Sequence, residues 1–398
     1  MSQATSLHIL LITRHYPPEV SGGARRPSAF VGEMRKRGHR VTVVTPFELN
    51  DPDHVHVFNA AIDRGYQASL IPTDGKGRPP NMMQNVKSWA RRWAYWPDPN
   101  IGWAKAVVAN ADVKELRPDL VMTTSPSEST HWAGMTLASV WGYPWVAEFR
   151  DTWIANAHRV ELNHSPLRRW VETRLARRWL QSVSAVIGVS EAVLSDIRAL
   201  VPVDTPCVEI GHSATPMAEA ESKTTLRGDR INIVHTGGFS NSDPKRSLAA
   251  LLDVLATKAV EPPLCLHLAG TLSDAEIVMI EAAPVDVRHH GQLSLDRSRD
   301  LQQAADALLL CVPDGSHAIP GKLAEYWQTQ APILRFGYSP WVETFPEGAL
   351  EPLETALSGL RKGMAVTGRD DRFSLSHAMN GYDALIRTVV RGGISGRT

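Results

Sequence analysis

In the run SHAIPGKLAEYWQTQAPIL, residues 316–334, a proline and a glycine precede a helical pattern that holds a carboxylate, Glu325, among apolar neighbours. The pattern raises the question of why an acid stands there. Pro320 suits the first helical position, which leaves the amides of Gly321 and Lys322 unpaired and facing outward, an arrangement that holds phosphate. Gly321 admits close approach of a ligand. One turn further, Glu325 is placed to accept two hydrogen bonds from vicinal ribose hydroxyls, strengthened by its charge. The same residues also fit an ordinary amphipathic helix with a Lys322–Glu325 pair at i, i+3 on its surface. By themselves they favour that plainer reading.

Other stretches carry comparable chemistry. In GGFSNSDPKRSL, the turn Gly237–Gly238 follows a predicted strand, and Lys245 and Arg246 stand near the next helix start, where two cations would neutralise a leaving diphosphate. A solvated helix start accounts for them equally well. Gly22 and Gly23 lie between the first predicted strand and helix, where small residues let the backbone approach a ligand. They do not form G-x-G-x-x-G, and the second strand ends VVTPF without the ribose-binding acid of a dinucleotide fold. EFRDTW sets Arg150 and Asp151 at the carboxyl end of a predicted strand, and His131 follows SPSEST near another. We expect Arg150 and Asp151 to position an acceptor, with His131 a further candidate. The sequence has no G-x-S-x-G elbow and no H-E-x-x-H, so hydrolase and metal chemistry are disfavoured.

The elements that must position these residues alternate. The chain of 398 residues is too long for one ordinary core and implies two domains. The first fifty residues read as strand 7–12, helix 27–37 and strand 41–45. Pro27 opens the helix; Phe30, Val31 and Met34 give its apolar face, and Gly38 follows its end. Apolar runs at 119–124, 145–149 and 185–190 continue a doubly wound α/β pattern. We expect domains at 1–205 and 231–398, joined by a linker at 206–230, with the last helix packing back on the first domain. The second half repeats the pattern, with strands at 231–235, 264–268, 285–290, 306–312 and 332–336. Two such domains place a ligand cleft at the carboxyl ends of their sheets.

Lys plus Arg and Asp plus Glu both total 42, so nothing in the charge balance calls for nucleic acid. Cys207, Cys265 and Cys311 are too scattered for a disulfide framework or zinc site, which points to a reducing cytoplasm. LHILLI is too short, and lacks the basic flank, for a signal peptide or membrane span. Two stretches, 86–96 and 167–180, interleave arginine with tryptophan. We expect weak peripheral contact with the inner face of the membrane through 86–96, and inward packing of the tryptophan face of 167–180.

In order along the chain, ITRHYPPEVSGGARRPSAFVGEMRKRGHRVTVVTP, TTSPSESTHWAGMTLASVWGYPWVAEFRDTW, AVIGVSEAV, IVHTGGFSNSDPKRSL and GQLSLDRSRDLQQAADALLLCVPDGSHAIPGKLAEYWQTQAPIL resemble GT-B glycosyltransferases of the family 4 type. The Phe-Arg-Asp-x-Trp element is similar to that of a bacterial subgroup that builds surface polysaccharides. The resemblance implies two Rossmann-like domains facing across a cleft. It implies transfer of a sugar from a nucleotide-sugar, UDP- or GDP-linked, to a lipid-linked or glycan acceptor, with retention and without metal or other cofactor. It gives Glu325 the place of the second acid of an E-x7-E element, which binds the donor ribose, and sets His317 where the first acid usually stands. Ser316 to Gly321 and the Gly22–Gly23 loop would then meet the diphosphate. Phe239 occupies the position where an arginine often follows the glycine turn, leaving Lys245 and Arg246 as the cations. A nucleotide-sugar epimerase and a silent nucleotide-binding scaffold at a membrane are the rival readings.

Overall fold

The computed structural model describes residues 5–19, 22–59, 96–156, 159, 162–163, 165–214, 224–240, 246–257, 260–314 and 319–395. The chain divides into two compact units, one of Met1–His212 with Ser376–Thr398, the other of Ser213–Leu375.

The first unit is built on seven parallel strands: β1 His8–Thr13, β2 Arg40–Thr45, β3 His54–His56, β4 Leu120–Thr124, β5 Trp145–Phe149, β6 Ala185–Gly188 and β7 Cys207–Glu209. Their order is β3-β2-β1-β4-β5-β6-β7. β1 is flanked by β2 and β4, with Ile9 opposite both Val41 and Leu120. The order reverses there, so the segments leaving β1 and β4 part at the carboxyl edge and leave room between them. β4 and β5 are buried at every position, as strands covered on both faces must be.

Two boundaries differ from expectation. The first helix spans Gly22–Lys36, five residues longer at its start than the Pro27 signal implies, so Gly22 and Gly23 form its first turn instead of a free loop. Glycine lowers helix propensity and conceals such a start. Cys207–Glu209 lies within the expected linker yet pairs with β6 as an edge strand, too short and too polar to show as an apolar run. The final helix, Leu375–Ser395, packs within this unit: the Tyr382 ring lies 5.0 Å from Phe30, and His39 Nε2 is 3.0 Å from Asp383 Oδ1.

The second unit has six parallel strands: β8 Ile231–Thr236, β9 Leu264–Ala269, β10 Asp286–His289, β11 Ala307–Cys311, β12 Ile333–Phe336 and β13 Glu351–Pro352. Their order is β10-β9-β8-β11-β12-β13, with the reversal between β8 and β11. Alternate residues fill two cores. Ile231, Ile233 and Leu309 pack with the helix Leu248–Ala256 on one face, while Val234, Leu308 and Leu310 pack with Leu323 and Tyr326 on the other. The expected helix after Pro320 is a single turn, Lys322–Tyr326, with Gly321 as its N-cap and Pro320 outside it. Tight bonds of the i to i+3 kind, Leu323 N to Pro320 O and Gln328 N to Glu325 O, bracket the turn and end it.

Candidate functional site

At the carboxyl edge of the first unit's sheet, one guanidinium ties three segments together. Arg150, directly after β5, donates from Nε to Ser125 O at 2.7 Å and from Nη1 to Gly23 O at 2.6 Å. The segments following β4 and β5 are thereby fixed to the first turn of the helix Gly22–Lys36. A side chain at Gly23 would be crowded, since an added Cβ would lie 3.0 Å from His15 Cγ and 3.3 Å from Arg150 Nη2. Gly22 has open space beside it. Asp151 follows as an exposed carboxylate at the same edge. Beside it, after β1, His15 Nδ1 lies 3.0 Å from Glu19 Oε1, and Arg14 Nη1 donates to Glu19 Oε2 at 3.0 Å.

Beneath this edge lies a buried ionic knot that the sequence did not reveal. Arg26 donates from Nε to Glu148 Oε1 at 2.8 Å and from its terminal nitrogens to the carbonyls of Gly211 and Ile210. The Tyr382 hydroxyl donates to the same Glu148 oxygen. Burial alone would raise the Glu148 carboxyl, but the charge of Arg26 and the bonds from Tyr382 and Arg26 outweigh it and hold the pKa below the ordinary range. Glu148 is therefore an anion inside the protein, and Arg26 is its counter-ion.

His131 is not presented at this edge. It is fully buried, with its ring 4.3 Å from that of Phe149 and its Nδ1 2.8 Å from Thr123 Oγ1. Desolvation lowers its pKa to about 3, so it stays neutral across the working range. Its place is in the aromatic packing under β4 and β5.

The second unit's edge is arranged differently. Gly237, at φ +130, turns the chain directly after β8, and a Cβ there would run into Lys322 Nζ. Lys322 thus reaches across the glycine turn by its side chain, a role distinct from that of the backbone amides expected at the helix start. Its Nζ lies 3.4 Å from His235 Nε2. The buried His235 is held neutral by desolvation and by the Lys322 charge; its Nδ1 lies 2.9 Å from Leu309 O, so Nδ1 carries the proton and Nε2 offers a lone pair to the ammonium. Lys322 has its pKa lowered to about 8, by desolvation first and then by Arg246. Arg246 follows the Gly237–Gly238 turn along the chain, and its Nε is buried without a hydrogen-bond partner. Among the described residues, no salt bridge joins either cation to a carboxylate. Phe239, where the resemblance leads one to look for arginine, is fully buried with its ring 4.8 Å from His235.

One turn along, Glu325 is buried at 9% exposure and accepts from Gln302 Nε2 at 3.3 Å. That burial excludes the solvated surface pair considered from sequence. Gln302 also donates to Thr236 Oγ1, and Thr236 N donates to the Tyr326 hydroxyl at 2.9 Å. Glu325 is therefore oriented by a network anchored in β8. Gly238 and Gly321 are partly or fully exposed beside these groups, and Pro320 is half-buried. Lys245, Ser316 and His317 lie outside the described residues. Among the described residues, no group of three His, Cys, Asp or Glu side chains is placed to hold a metal ion.

Two separate Rossmann-like units, each a parallel sheet with functional groups at its carboxyl edge, define the GT-B fold. Within it, residues 21–211 match the family model described as the glycosyl transferase 4-like domain. No curated protein sequence matches the chain significantly. Among solved structures, HepE of Anabaena in complex with UDP-glucose is similar with a TM-score of 0.59 and 15% identity, covering 96% of this chain and 100% of that one. Sucrose-phosphate synthase of Thermosynechococcus elongatus has a TM-score of 0.59 and 16% identity, covering 97% and 93%. A glycosyltransferase of Rickettsia africae has a TM-score of 0.58 and 13% identity, covering 97% and 99%. At these identities the likeness is one of fold.

Proposed function

We propose that this protein transfers a sugar from a nucleotide-sugar donor, UDP- or GDP-linked, to a lipid-linked or glycan acceptor in surface-polysaccharide synthesis, with retention at the anomeric carbon. The observation that carries the reading is the second unit's edge: Lys322 and Arg246, in no salt bridge among the described residues, at a glycine turn one helical turn from the buried Glu325. Two cations suit a diphosphate and a fixed carboxylate suits a ribose. The match of residues 21–211 to the glycosyl transferase 4-like domain supports it further.

In the reaction, the bond from the anomeric carbon to the diphosphate breaks while the acceptor oxygen bonds to that carbon on the same face. The acceptor proton passes to the departing phosphate oxygen. Lys322 and Arg246 stabilise charge that grows as the leaving group departs, and Lys245 is placed by sequence to join them. Asp151 meets the acceptor, and Arg150 holds the segment that carries it. No metal is needed for this chemistry, and the free cysteines suit a cytoplasmic site of action.

The test is nucleotide release from UDP- and GDP-sugars, measured with and without lipid-linked or glycan acceptors. Release should depend on acceptor, and Asp151→Asn should lower kcat by about a hundredfold or more at unchanged donor Kd, as loss of a transition-state contact does. Sugar interconversion without acceptor would indicate an epimerase. Nucleotide binding without turnover of any donor would leave only a scaffold.

A further inference from the structure

The helix Pro166–Leu180 carries a surface that neither the sheet edge nor the sugar chemistry uses. Its inward side holds Arg168, Glu172, Ala176, Trp179 and Leu180. Glu172, the one acid of the helix, is fully buried, accepts from Trp153 Nε1 at 3.0 Å and pairs with Arg159. Its charge is therefore spent inside. The outward side presents Leu167, Trp170, Arg174, Arg177 and Arg178, which recur at i, i+3, i+7, i+10 and i+11 and so form one stripe. Leu167 is 72% exposed and Trp170 56% exposed. The Arg174 guanidinium lies 4.7 Å from the Trp170 ring centroid, and the exposed Arg169 flanks the stripe.

We propose that this face docks onto an anionic lipid bilayer. Its apolar residues occupy the N-terminal turns and its arginines continue toward the C-terminus, with no outward acid. An interfacial helix needs both apolar side chains to enter the headgroup boundary and cations to meet anionic lipid. The chain as a whole has zero formal charge, so the positive stripe is a local feature rather than a consequence of composition. Position adds a reason. The helix follows β5 and precedes β6, so its N-terminal turns, with Leu167 and Trp170, stand toward the edge where Arg150 and Asp151 lie. A bilayer docked there would lie beside the acceptor-facing carboxylate, which suits an acceptor delivered from the membrane.

The surface differs from the one expected from sequence. Residues 86–95 lie outside the described residues, and Trp96 is occupied in the protein, its ring 4.3 Å from the buried Arg168 guanidinium. Trp179 packs inward as expected, but Trp170 does not.

The test is co-sedimentation of the full chain with phosphatidylcholine vesicles, with and without phosphatidylglycerol, at low and high salt. The wild type should bind only the anionic vesicles and be released by salt. Leu167→Ser with Trp170→Ser, and separately Arg174→Gln with Arg177→Gln and Arg178→Gln, should each lower binding by about tenfold or more. Calorimetric UDP or GDP binding should be unchanged in both variants, so failure here is distinguishable from failure of the transferase reading. Anionic vesicles bound equally by both variants, or not bound by the wild type, would overturn the proposal. A change of oligomeric state by light scattering in the Leu167/Trp170 variant would assign the face to a second copy of the chain instead.

Discussion

The two sheet edges treat their charged groups in different ways. In the first unit the buried and half-buried charges have internal partners, Arg26 with Glu148, Glu19 with His15 and Arg14, and Arg150 with two carbonyls, while Asp151 stands exposed. In the second unit Lys322 faces a neutral histidine, and the Nε of Arg246 has no partner. A buried or half-buried cation without an acid is costly, and an arriving anion relieves that cost. The first edge is therefore closed apart from Asp151, and the second has the unmatched positive charge that the proposed diphosphate site requires. On the proposed function, binding energy for the nucleotide is to be sought in the second unit, and stability in the first.

The largest effect expected from this contrast is on stability. Glu148→Ala leaves Arg26 buried with no acid beside it and should lower the free energy of unfolding by about 3–5 kcal/mol in urea titration. The depressed pKa of Glu148 sets a matching acid dependence. Its contribution is present above the ordinary glutamate value and is lost as pH falls through the lower folded-state value. A cost comparable to that of an exposed salt bridge would show that the first edge is not held by this knot.

Next comes the ribose contact. Glu325→Ala should weaken UDP or GDP binding by about 1.5–3 kcal/mol, the range for hydrogen bonds to a charged acceptor. The fold should persist, because Gln302 retains its bond to Thr236. Calorimetry on the isolated variant decides it; unchanged affinity would remove Glu325 from the nucleotide site and with it half of the contrast between the two edges.

How much of this was readable in advance depends on distance along the chain. The strands were plain, because parallel strands covered on both faces read as apolar runs, and WVAEF coincides with β5. The helix start at Gly22 and the edge strand Cys207–Glu209 were hidden by poor local propensity. Glu325, Gly237 and Arg246 were singled out because glycine turns and helix starts have local signatures. The knot of Arg26, Glu148 and Tyr382 had none, since its members lie in a helix, a strand and the final helix. The burial of His131 has the same origin: it lies in the helix Ser129–Trp141, and its aromatic neighbours Trp145 and Phe149 come from β5. Lys322 is legible as a donor-side residue, but the path of its side chain over Gly237 is not, because it depends on β8 and β11 being neighbours.

The smallest effect is also the most diagnostic, because it tests whether Lys322 is waiting for an anion. Its pKa is drawn down from the ordinary lysine value to about 8, by desolvation first and then by Arg246. Between that value and the ordinary one, the unfolded chain binds more protons than the folded protein, so this group makes the fold more stable as pH rises through the window. A bound diphosphate acts in the opposite sense: its charge favours the ammonium and lifts the pKa again. Binding above pH 8 must then draw a proton from solvent, and affinity should fall with pH by up to about 1.4 kcal/mol per unit. The nucleotide's own terminal phosphate, with a pKa of about 6, is already ionised there and adds no slope. Calorimetry of UDP and GDP binding just above and below pH 8, short of the alkaline range in which the uracil and guanine N–H groups ionise, in buffers of different ionisation enthalpy, measures both the slope and the proton uptake. In Lys322→Met both should vanish, leaving a weaker and pH-independent site. If the slope survives that substitution, the titrating cation is another group, and the second edge does not owe its unmatched charge to Lys322.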